Sequence, residues 1–458
     1  MSITLHGEHF KKDFDYMIYK DGDYYKVLNG DSLAIDYKDK DASQVVAKAI
    51  SFLTPDRTWK EIIKLKGNFV LTSPINLDSY MILDLSGAKL TLADGVNDSM
   101  IKAEGKSHFE IIGGHLHGNR GNQTAGCGVE ITNSEFFLVK DVYVTDTYNH
   151  GVLAQDGSKR GVIDGCFAEN VGGSGVCLSG VNGATYHVTI SNCKVKTSSY
   201  NGIFLYFNVL QSSVIGCSVM NVTFGWGIEF ENSSYCQAIG NDIRDCTGIG
   251  MKIMGSSALK NAFIGNNIFN VGRHGITVNG HQNVILGNVV ERASSTEDGR
   301  YDGICLAGAD GGNGASSGSA NHNIISNNII IAPDFYYGLR HGIREYSGNN
   351  NIIAYNTIIP NQIRHEIILW VGSNTKVHHN IGFVTENCGE AVISAGSTYV
   401  DVSHGLDVVP DPNKIRVTPL DDLGGRSFWI SDVDASKFRI NISSSDTVDH
   451  VFGWSYNN

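Results

Sequence analysis

Proline, basic clusters and long apolar runs are all scarce in this sequence. The 458 residues include only 7 prolines, and the formal net charge of -12 is spread along the chain without a block of lysine and arginine. No apolar stretch reaches the roughly 18 residues that a membrane-spanning helix needs. The opening residues, MSITLHGEHFKKDFDYM, lack the apolar core and cleavage site of a signal peptide. We therefore expect no nucleic-acid partner and no membrane, and a secreted or virion-associated protein exported by another route.

Cysteine motifs that bind metals are also missing. Nine cysteines make an odd number, and none stands in the CxxC spacing of a zinc site. In so long a chain they do not indicate a disulfide framework, and we expect them to be mostly reduced and buried. Glycine is abundant, with 53 residues, and asparagine is frequent after about residue 190. This mixture favours many short strands joined by tight turns over long helices.

A repeat organises the middle of the chain. A glycine followed by an alternating four-residue strand returns at intervals of 23 to 28 residues, and once after 39. The repeat glycines are Gly128, Gly151, Gly175, Gly202, Gly227, Gly250, Gly275, Gly303 and Gly342. Intervals of this size suit one coil of three short strands, which buries its inner face only by stacking on its neighbours. The repeat therefore predicts an all-β fold, a right-handed parallel β-helix built as a single-stranded solenoid.

A second column runs in step with the first. Strands such as VIDGC, FIGN and IAYN end in Cys or Asn. The column reads Cys166, Cys193, Cys217, Asn241, Asn266, Asn288, Asn327 and Asn356. Stacked asparagine side chains can hydrogen-bond to one another at the strand spacing of about 4.8 Å, and a small thiol fills the same place without a partner. The cysteines of this column are therefore predicted to be structural.

The repeat also divides the chain into three parts. Residues 1–60 contain DASQVVAKAISFL, an amphipathic helix that Asp41 can cap and that is expected to cover the first coil. Residues 61–397 form the predicted β-helix. The interval of 39 contains a Gly/Ser-rich loop, residues 307–323, which is expected to project as one wall of a groove. Residues 398–458 read as strands broken by turns and predict a small C-terminal β-sandwich.

Strand alternation predicts which side chains face outward. Residues one and three after each repeat glycine are apolar, except for Glu345 after Gly342, so positions two and four, with the residue before the glycine, should line one exposed sheet. In the middle coils this sheet carries aromatic rings on which sugars can stack: Tyr200, Phe204, Tyr206 and Trp226. Charged groups follow: Glu229, Glu231, Lys252, Arg273, His274 and Asp302. A solvated sheet seldom carries so many aromatic residues without a ligand, which predicts a ligand groove.

Two sets of these residues suggest chemistry. Glu229 and Glu231 stand at positions i and i+2 of a strand, roughly 6 to 7 Å apart, a separation that suits the acid and base of glycoside hydrolysis. Lys252, one coil beyond, is expected to keep Glu229 ionised and to leave Glu231 the better proton donor. Arg273 and His274 suit removal of a sugar C5 proton by the imidazole while the arginine neutralises the carboxylate.

The same pair recurs later in the chain, and each set has a simpler explanation. Arg340 and His341 precede Gly342 as Arg273 and His274 precede Gly275. For the two glutamates the alternative is a surface salt bridge, and for either histidine it is a turn cap.

The coil pattern over residues 105–385 resembles the β-helix proteins grouped with alginate (mannuronan) C5-epimerases and polysaccharide lyases. LHGNRGNQT at 116–124 is similar to the stretch that opens their regular coils, and HGIREYSGNNNIIAYNTI at 341–358 is similar to one of their late coils. Residues after 397 resemble short C-terminal modules of phage tail proteins. The resemblance implies a polysaccharide partner and no obligatory cofactor, with Ca²⁺ as an option. Because related tailspikes and fructan transferases are often trimers, a homotrimer is one arrangement it implies.

The resemblance also implies a site layout. The epimerases set a Tyr before the strand glycine, an Asp and a His at positions two and four, and an Arg-His pair two coils later. Here Trp226 stands in place of the Tyr, and Glu229 and Glu231 take the next two places. Arg273 and His274 match the pair outright. Tyr206, one coil earlier, could supply the phenol that Trp226 lacks.

Three functional hypotheses follow. The first is a carbohydrate-active enzyme that acts on an acidic polysaccharide such as alginate by C5-proton abstraction, as a lyase or an epimerase. The second is a glycoside hydrolase or transglycosylase that uses paired carboxylates. The third is a non-catalytic, tailspike-like glycan-binding protein. The catalytic candidates are Glu229, Glu231, His274, Tyr206 and Asp302. The candidates for substrate binding are Lys252, Arg273, Trp226, Tyr200, Phe204, Arg340, His341 and Arg344.

Overall fold

The computed structural model describes residues 13–308, 319–332 and 337–457. The chain divides into two compact units, an N-terminal unit, Met1–Gly272, and a C-terminal unit, Arg273–Asn458. The fold is the predicted right-handed parallel β-helix, the handedness that right-twisted strands impose on a parallel crossover. Most of the predicted Gly/Ser-rich loop, residues 309–318, lies outside the described residues. Within the described ranges, no helix is long and apolar enough to span a membrane.

The N-terminal unit opens with an antiparallel meander that the sequence did not predict. Its strands are Tyr16–Asp21, Tyr24–Asn29 and Ile35–Asp39, and the first of them pairs in parallel with Glu61–Leu71. The predicted helix follows as Ala42–Ser51, and the Asp41 carboxylate accepts hydrogen bonds from the backbone N–H groups of Ser43 and Gln44. The helix buries Val45 and Val46 against these strands, as expected of a cap.

Each later coil of the N-terminal unit gives one strand to each of three parallel sheets. The first sheet, which follows the repeat glycines, contains Ile75–Asn76, Ile101–Glu104, Val129–Thr132, Val152–Gln155, Val176–Ser179, Ile203–Tyr206, Ile228–Glu231 and Met251–Leu259. The second contains Met81–Leu92, Glu110–Ile112, Leu138–Lys140, Val162–Asp164, Thr189–Ser191, Ser213–Ile215, Gln237–Ile239 and Ala262–Ile264. The third contains His115–His117, Tyr143–Thr145, Phe167–Val171, Lys194–Ser198, Ser218–Met220, Asp242–Arg244 and Asn267–Phe269. A two-stranded pairing, Thr185–Tyr186 with Val209–Leu210, and a 3-10 turn, Arg120–Asn122, complete the unit.

The C-terminal unit repeats the three-sheet coil. Its first strands are Ile276–His281, Ile304–Leu306, Ile343–Glu345 and Ile368–Leu369. The second strands are Val284–Leu286, Ile324–Ser326, Ile352–Ala354 and Lys376–His378, and the third are Val289–Glu291, Ile329–Ile331 and Thr357–Ile359.

Two antiparallel sheets end the chain where a C-terminal β-sandwich was predicted, but their first strand begins at Asn387, before the predicted boundary at residue 398. One sheet orders Asn387–Ile393, His450–Tyr456 and Ile415–Pro419, and the other orders Tyr399–Ser403, Lys437–Ile442 and Phe428–Ser431. A 3-10 turn, Pro412–Lys414, precedes the third strand of the first sheet. Phe438, Ile440 and Phe452 are buried in the core that the two sheets share.

Buried asparagines tie successive coils together, and one member of the predicted column was wrong. The side chain of Asn328, and not that of Asn327, accepts hydrogen bonds from Asn288 and donates to Asn356 at 2.9 Å. Asn327 has a φ of 55° and occupies the left-handed turn position that Gly287 fills one coil earlier. A second, unpredicted ladder of the C-terminal unit joins Asn283, Asn323 and Asn351. The cysteines are free, and all but Cys388 are buried.

The corrected ladder predicts unequal effects for two neighbouring asparagines. Asn328→Ala should lower the free energy of unfolding by roughly 3–5 kcal/mol, because it leaves several buried backbone and side-chain groups without partners. The control Asn327→Gly should change it by less than about 0.5 kcal/mol, since glycine adopts the left-handed conformation without strain. Urea unfolding measures both changes. Equal destabilisation by the two variants would show that Asn328 is not the ladder residue.

Candidate functional site

A cleft of about 510 Å³ lies against the first sheet of the N-terminal unit. Its lining comes from the outward strand positions two and four and from the turns before the repeat glycines. The lining residues are His150, Leu153, Gln155, Cys177, Ser179, Tyr200, Phe204, Tyr206 and Glu231. The cleft therefore uses the predicted columns, but it begins two coils nearer the N-terminus than the predicted residues do.

The floor of the cleft is apolar and aromatic. Phe204 is only 4% exposed and packs with Leu153 and Cys177 in a small cluster outside the coils. Its ring centroid lies 5.8 Å from that of Tyr200 and 4.9 Å from that of Tyr206. The prediction of an exposed Phe204 face was wrong, because bulky side chains one strand apart cover one another. Tyr200, which is 50% exposed, carries the most accessible of the three rings.

Tyr206 and Glu231 stand side by side at this cleft. They are register partners on the adjacent strands Ile203–Tyr206 and Ile228–Glu231, and both side chains are partly exposed. Parallel strands lie about 4.8 Å apart, so a phenol and a carboxylate are presented together to whatever enters. Among the nine lining residues, Glu231 is the one with a formal charge at neutral pH, and none is lysine or arginine.

Beside the cleft lies a buried ion pair. Lys252 Nζ is 3.2 Å from Glu229 Oε1, and each residue is only 2% exposed. Asn201 Nδ2 donates to the other Glu229 oxygen at 2.7 Å, and Asn201 Oδ1 accepts from the backbone N–H of Trp226 at 2.8 Å. The Lys252 ammonium also lies 4.8 Å from the centre of the Trp226 ring. The predicted register of Glu229 with Lys252 is confirmed, but the expectation that both face solvent was wrong.

Burial sets the charge of two groups here. It raises the pKa of Glu229 to about 7, although Lys252 and Asn201 act in the opposite direction. Lys252 favours the ionised form of Glu229, as predicted, but burial outweighs it; the prediction that Glu231 is the better proton donor stays a prediction. Burial also lowers the pKa of His150 to about 4. Because the backbone N–H of Ser174 donates to His150 Nδ1 at 2.9 Å, the neutral ring carries its proton on Nε2.

The remaining predicted residues belong to the C-terminal unit, where they surround Asp302. The guanidinium of Arg340 donates to both Asp302 oxygens, at 3.0 and 2.8 Å, and the backbone N–H of His341 donates to one of them at 3.2 Å. His274 Nδ1 accepts from the backbone N–H of Asp302 at 3.0 Å. Asp302 and His274 are fully buried, so the prediction that they face solvent was wrong.

Two arginines of this unit are more accessible. The Arg344 guanidinium lies 3.6 Å from the centre of the Tyr346 ring and is partly exposed. Arg273 is also partly exposed, and its carbonyl accepts from the backbone N–H of Ser294 at 2.8 Å. The predicted residues thus form two groups. The N-terminal unit contains Tyr200, Phe204, Tyr206, Trp226, Glu229, Glu231 and Lys252, and the C-terminal unit contains Arg273, His274, Asp302, Arg340, His341 and Arg344.

His274, Asp302 and Cys305 are the one group of potential metal ligands found in the described part of the chain, with ligand atoms within 4.8 Å of one another. The group does not fit a cation. Both Asp302 oxygens already bind Arg340, His274 Nδ1 already accepts a hydrogen bond, and burial raises the pKa of the Cys305 thiol. The cleft offers one carboxylate, that of Glu231, whereas Ca²⁺ takes about 6–8 oxygen ligands.

Sequence reasoning missed His150, Gln155, Ser179 and Asn201 as site residues. The first three line the cleft, and Asn201 holds Glu229. All of them belong to the same outward columns as the predicted residues, so the column pattern was sufficient to find them. The predicted set followed aromatic and charged residues, and it therefore passed over the neutral hydrogen-bonding residues in its first coil and one and two coils earlier.

Comparison with known proteins supports the fold. The sequence model of the family described as right handed beta helix region matches residues 127–290, about a third of the chain. No curated protein matches the sequence. Among solved structures, a mannuronan C-5 epimerase A-module of Azotobacter vinelandii superposes with a TM-score of 0.64 at 15% identity, covering 74% of this chain and 95% of that chain.

Two phage proteins are also similar. The tailspike gp49 of Pseudomonas phage LKA1 has a TM-score of 0.61 at 12% identity, over 90% of this chain and 92% of that chain. The tailspike of E. coli bacteriophage HK620, solved in complex with a pentasaccharide, has a TM-score of 0.54 at 10% identity, over 91% and 90%. At these identities the similarity establishes the β-helix and leaves the activity to be argued from the site.

The shifted carboxyl group predicts a pH effect on stability. The pKa of Glu229 is about 7 in the folded chain and about 4.3 when unfolded, so the folded state binds this proton more tightly and loses stability as the pH rises between those values. The stability of Glu229→Gln relative to wild type should therefore rise by on the order of 2–3 kcal/mol between pH 4.5 and 7.5. Urea unfolding across this pH range measures the difference.

The control for this experiment is Glu169→Gln. Hydrogen bonds from Lys196 and Tyr143 lower the pKa of Glu169, so its contribution to stability is present above the unfolded pKa and is lost as the pH falls. The stability of Glu169→Gln relative to wild type should therefore stay nearly constant from pH 4.5 to 7.5 and should rise only at lower pH, the opposite direction to Glu229→Gln. A pH-independent difference between wild type and Glu229→Gln would show that the pKa of Glu229 is the same in the folded and unfolded chains and that burial does not raise it.

Proposed function

We propose that this chain is a carbohydrate-active enzyme that binds a polysaccharide in the cleft of the N-terminal unit and modifies it by proton transfer through Tyr206 and Glu231. The observation that carries the proposal is the register pairing of this phenol with this carboxylate at the cleft. The reaction we assign is removal of the C5 proton of a uronate in an acidic polysaccharide such as alginate, leading to β-elimination or to epimerisation.

The cleft suits a sugar chain for two physical reasons. The accessible ring of Tyr200 and the partly exposed ring of Tyr206 offer flat apolar faces against the sugar C–H groups. The side-chain oxygen of Gln155, the Ser179 hydroxyl and the Nε2–H of neutral His150 offer hydrogen bonds to sugar hydroxyl groups without a charge to desolvate. The Gln155 amide nitrogen already donates to Glu130 and Thr132. A cleft of about 510 Å³ holds a few sugar units at one time.

Proton transfer in this cleft uses one group as base and the other as acid. The Glu231 carboxylate takes the proton as the C5–H bond breaks, and the Tyr206 hydroxyl supplies a proton to the product. In elimination the C4–O bond breaks, a C4=C5 double bond forms, and the leaving oxygen receives the tyrosine proton. In epimerisation the tyrosine proton is added to C5 from the opposite face. In both cases solvent then moves a proton from Glu231 to Tyr206 and restores the site.

A second candidate, glycoside hydrolysis, is favoured by Glu229. A carboxyl group whose pKa lies near 7 can donate a proton to a leaving sugar at neutral pH, and Glu231 then serves as base or nucleophile. Burial and the ion pair with Lys252 weigh against this role, because Glu229 is only 2% exposed.

The chain should be incubated with uronate and neutral polysaccharides, with and without Ca²⁺, while absorbance near 232 nm and reducing ends are followed together. Elimination raises both signals, whereas hydrolysis raises reducing ends alone. Epimerisation changes neither and is read by proton NMR of the polymer. If none of the three readouts changes, the chain is a glycan-binding protein of the tailspike type.

The roles of Tyr206 and Glu231 predict a specific loss of turnover. Glu231→Gln and Tyr206→Phe should each lower kcat by roughly 10²–10⁴-fold, the usual contribution of a positioned acid or base, with little change in KM. Glu135→Gln and Tyr235→Phe are matched controls, since Glu135 pairs with Arg160 on the surface and Tyr235 is exposed beneath Lys260. Full activity of either cleft variant, or equal loss in the controls, would remove these residues from the mechanism.

A further inference from the structure

A second pocket, of about 420 Å³, lies in the N-terminal unit outside the cleft. It forms where the third-sheet strand His115–His117 ends and the 3-10 turn Arg120–Asn122 begins. Part of its lining comes from residues 116–124, LHGNRGNQT. This segment has no part in the proposed proton transfer. The side chains of His117, Asn119, Arg120, Asp146, Tyr148 and Asn170 line the pocket, which is named the Arg120 pocket.

The two charged side chains of the Arg120 pocket, Asp146 and Arg120, differ in the partners that they contact. The Asp146 carboxylate lies 3.2 Å from His117 Nδ1 and accepts a short hydrogen bond from Asn170. Arg120 donates to the neutral hydroxyl of Ser199 at 3.3 Å. Among the residues that the structure describes, no carboxylate lies within ion-pair distance of Arg120. Arg120 is partly exposed, and its guanidinium has further N–H donors besides the one that Ser199 accepts.

One other member of the pocket suits a sugar. Tyr148 is 43% exposed and offers a ring face. The Asn119 amide is already engaged, because its nitrogen donates to Leu92 and Asp94 and its oxygen accepts from Asn122. A guanidinium can bind a carboxylate through two parallel hydrogen bonds, a strong and directional arrangement. Ring and guanidinium together fit a sugar unit that carries a carboxylate.

The Arg120 pocket and the cleft lie along the same turns. One turn contributes Tyr148 to the Arg120 pocket and His150 to the cleft. The Arg120 side chain donates to Ser199, and the residue after Ser199, Tyr200, lines the cleft. Gly172 packs against both Tyr148 and Arg120: a Cβ there would clash with the Tyr148 carbonyl and would come within 3.2 Å of Arg120 Nε. The glycine is therefore required first by the Tyr148 backbone, and it also leaves space for the Arg120 side chain.

We infer that the Arg120 pocket binds a carboxylate-bearing unit of the polysaccharide and gives the chain its preference for acidic glycans. This inference rests on the proposed function, because it assumes that a glycan occupies the neighbouring cleft. It also explains why an acidic substrate is compatible with a cleft whose lining contains no lysine or arginine. The cleft binds the sugar chain by ring stacking and neutral hydrogen bonds, and Arg120 binds a carboxylate group of that chain.

The test is a binding measurement by isothermal titration calorimetry on the full chain. The probes are tetrasaccharides of mannuronate and of galacturonate, each compared with its carboxyl-reduced counterpart. Arg120→Gln should weaken binding of at least one acidic tetrasaccharide about tenfold or more, and should leave the reduced form unaffected. Arg120→Lys should restore only part of the affinity, because lysine keeps the positive charge but lacks the two parallel N–H donors of a guanidinium. Arg160→Gln is the matched control, since Arg160 is an exposed arginine that pairs with Glu135.

Either of two results would overturn the inference: the acidic tetrasaccharides bind no better than their reduced forms, or Arg120→Gln weakens both forms equally. Failure of the proposed function is seen separately. If no polysaccharide is turned over, the roles of Tyr206 and Glu231 fall, whereas carboxylate-dependent binding to Arg120 is still measured. If turnover persists but Arg120→Gln binds acidic tetrasaccharides normally, the carboxylate pocket alone is wrong.

Discussion

The hydrogen bonds that each coil makes to the next are the constraint on which the fold depends. Backbone groups of one coil pair in parallel with those of its neighbour, and the buried asparagine ladders add bonds that cannot form inside a single coil. Asn328 shows this most clearly, because its side chain accepts from Asn288 and donates to the Ile285 carbonyl and to Asn356. A buried amide without these partners would cost about 1–3 kcal/mol, so each ladder fixes one register.

The same register determines which functional groups meet. Glu229 pairs with Lys252, and Tyr206 with Glu231, because strands that follow successive glycines align residue for residue. Side chains alternate between the two faces of a strand, so a slip of one residue would turn these groups into the core and bring Phe230 out. The site is therefore a consequence of coil stacking, and the loops of the N-terminal unit only complete it.

The sequence was sufficient for the fold because its signals are periodic. The repeat glycines, the inward apolar positions and the Asp41 cap each depend on local spacing, and all of them hold. The error at Asn327 arose from the doubled Asn in IISNN, where spacing cannot tell the turn residue from the ladder residue. The meander that begins at Tyr16 was missed because it lies outside the repeat.

The candidate site was harder to predict, because its chemistry depends on how deeply each side chain is buried and not only on the face of the strand from which it projects. Alternation places Glu229, Phe204 and Lys252 correctly on the outer side of the strands, but it does not say that neighbouring side chains cover them. Once covered, Glu229 is held by a lysine and an amide, and its pKa follows the loss of water more than the nearby charge. No pattern in one sequence measures that loss.

Burial favours the neutral form of both groups beside the cleft whose pKa is shifted, Glu229 and His150. It favours the neutral form of Glu229 by raising its pKa and the neutral form of His150 by lowering its pKa. Glu231 is then the main charge that a ligand meets in the cleft lining, next to the Tyr206 phenol. The neutral form of Glu229 adds no second negative charge beside Glu231. Such a cleft also attracts acidic sugars poorly, and this is why we assign the recognition of charge to Arg120, on the turn outside the cleft.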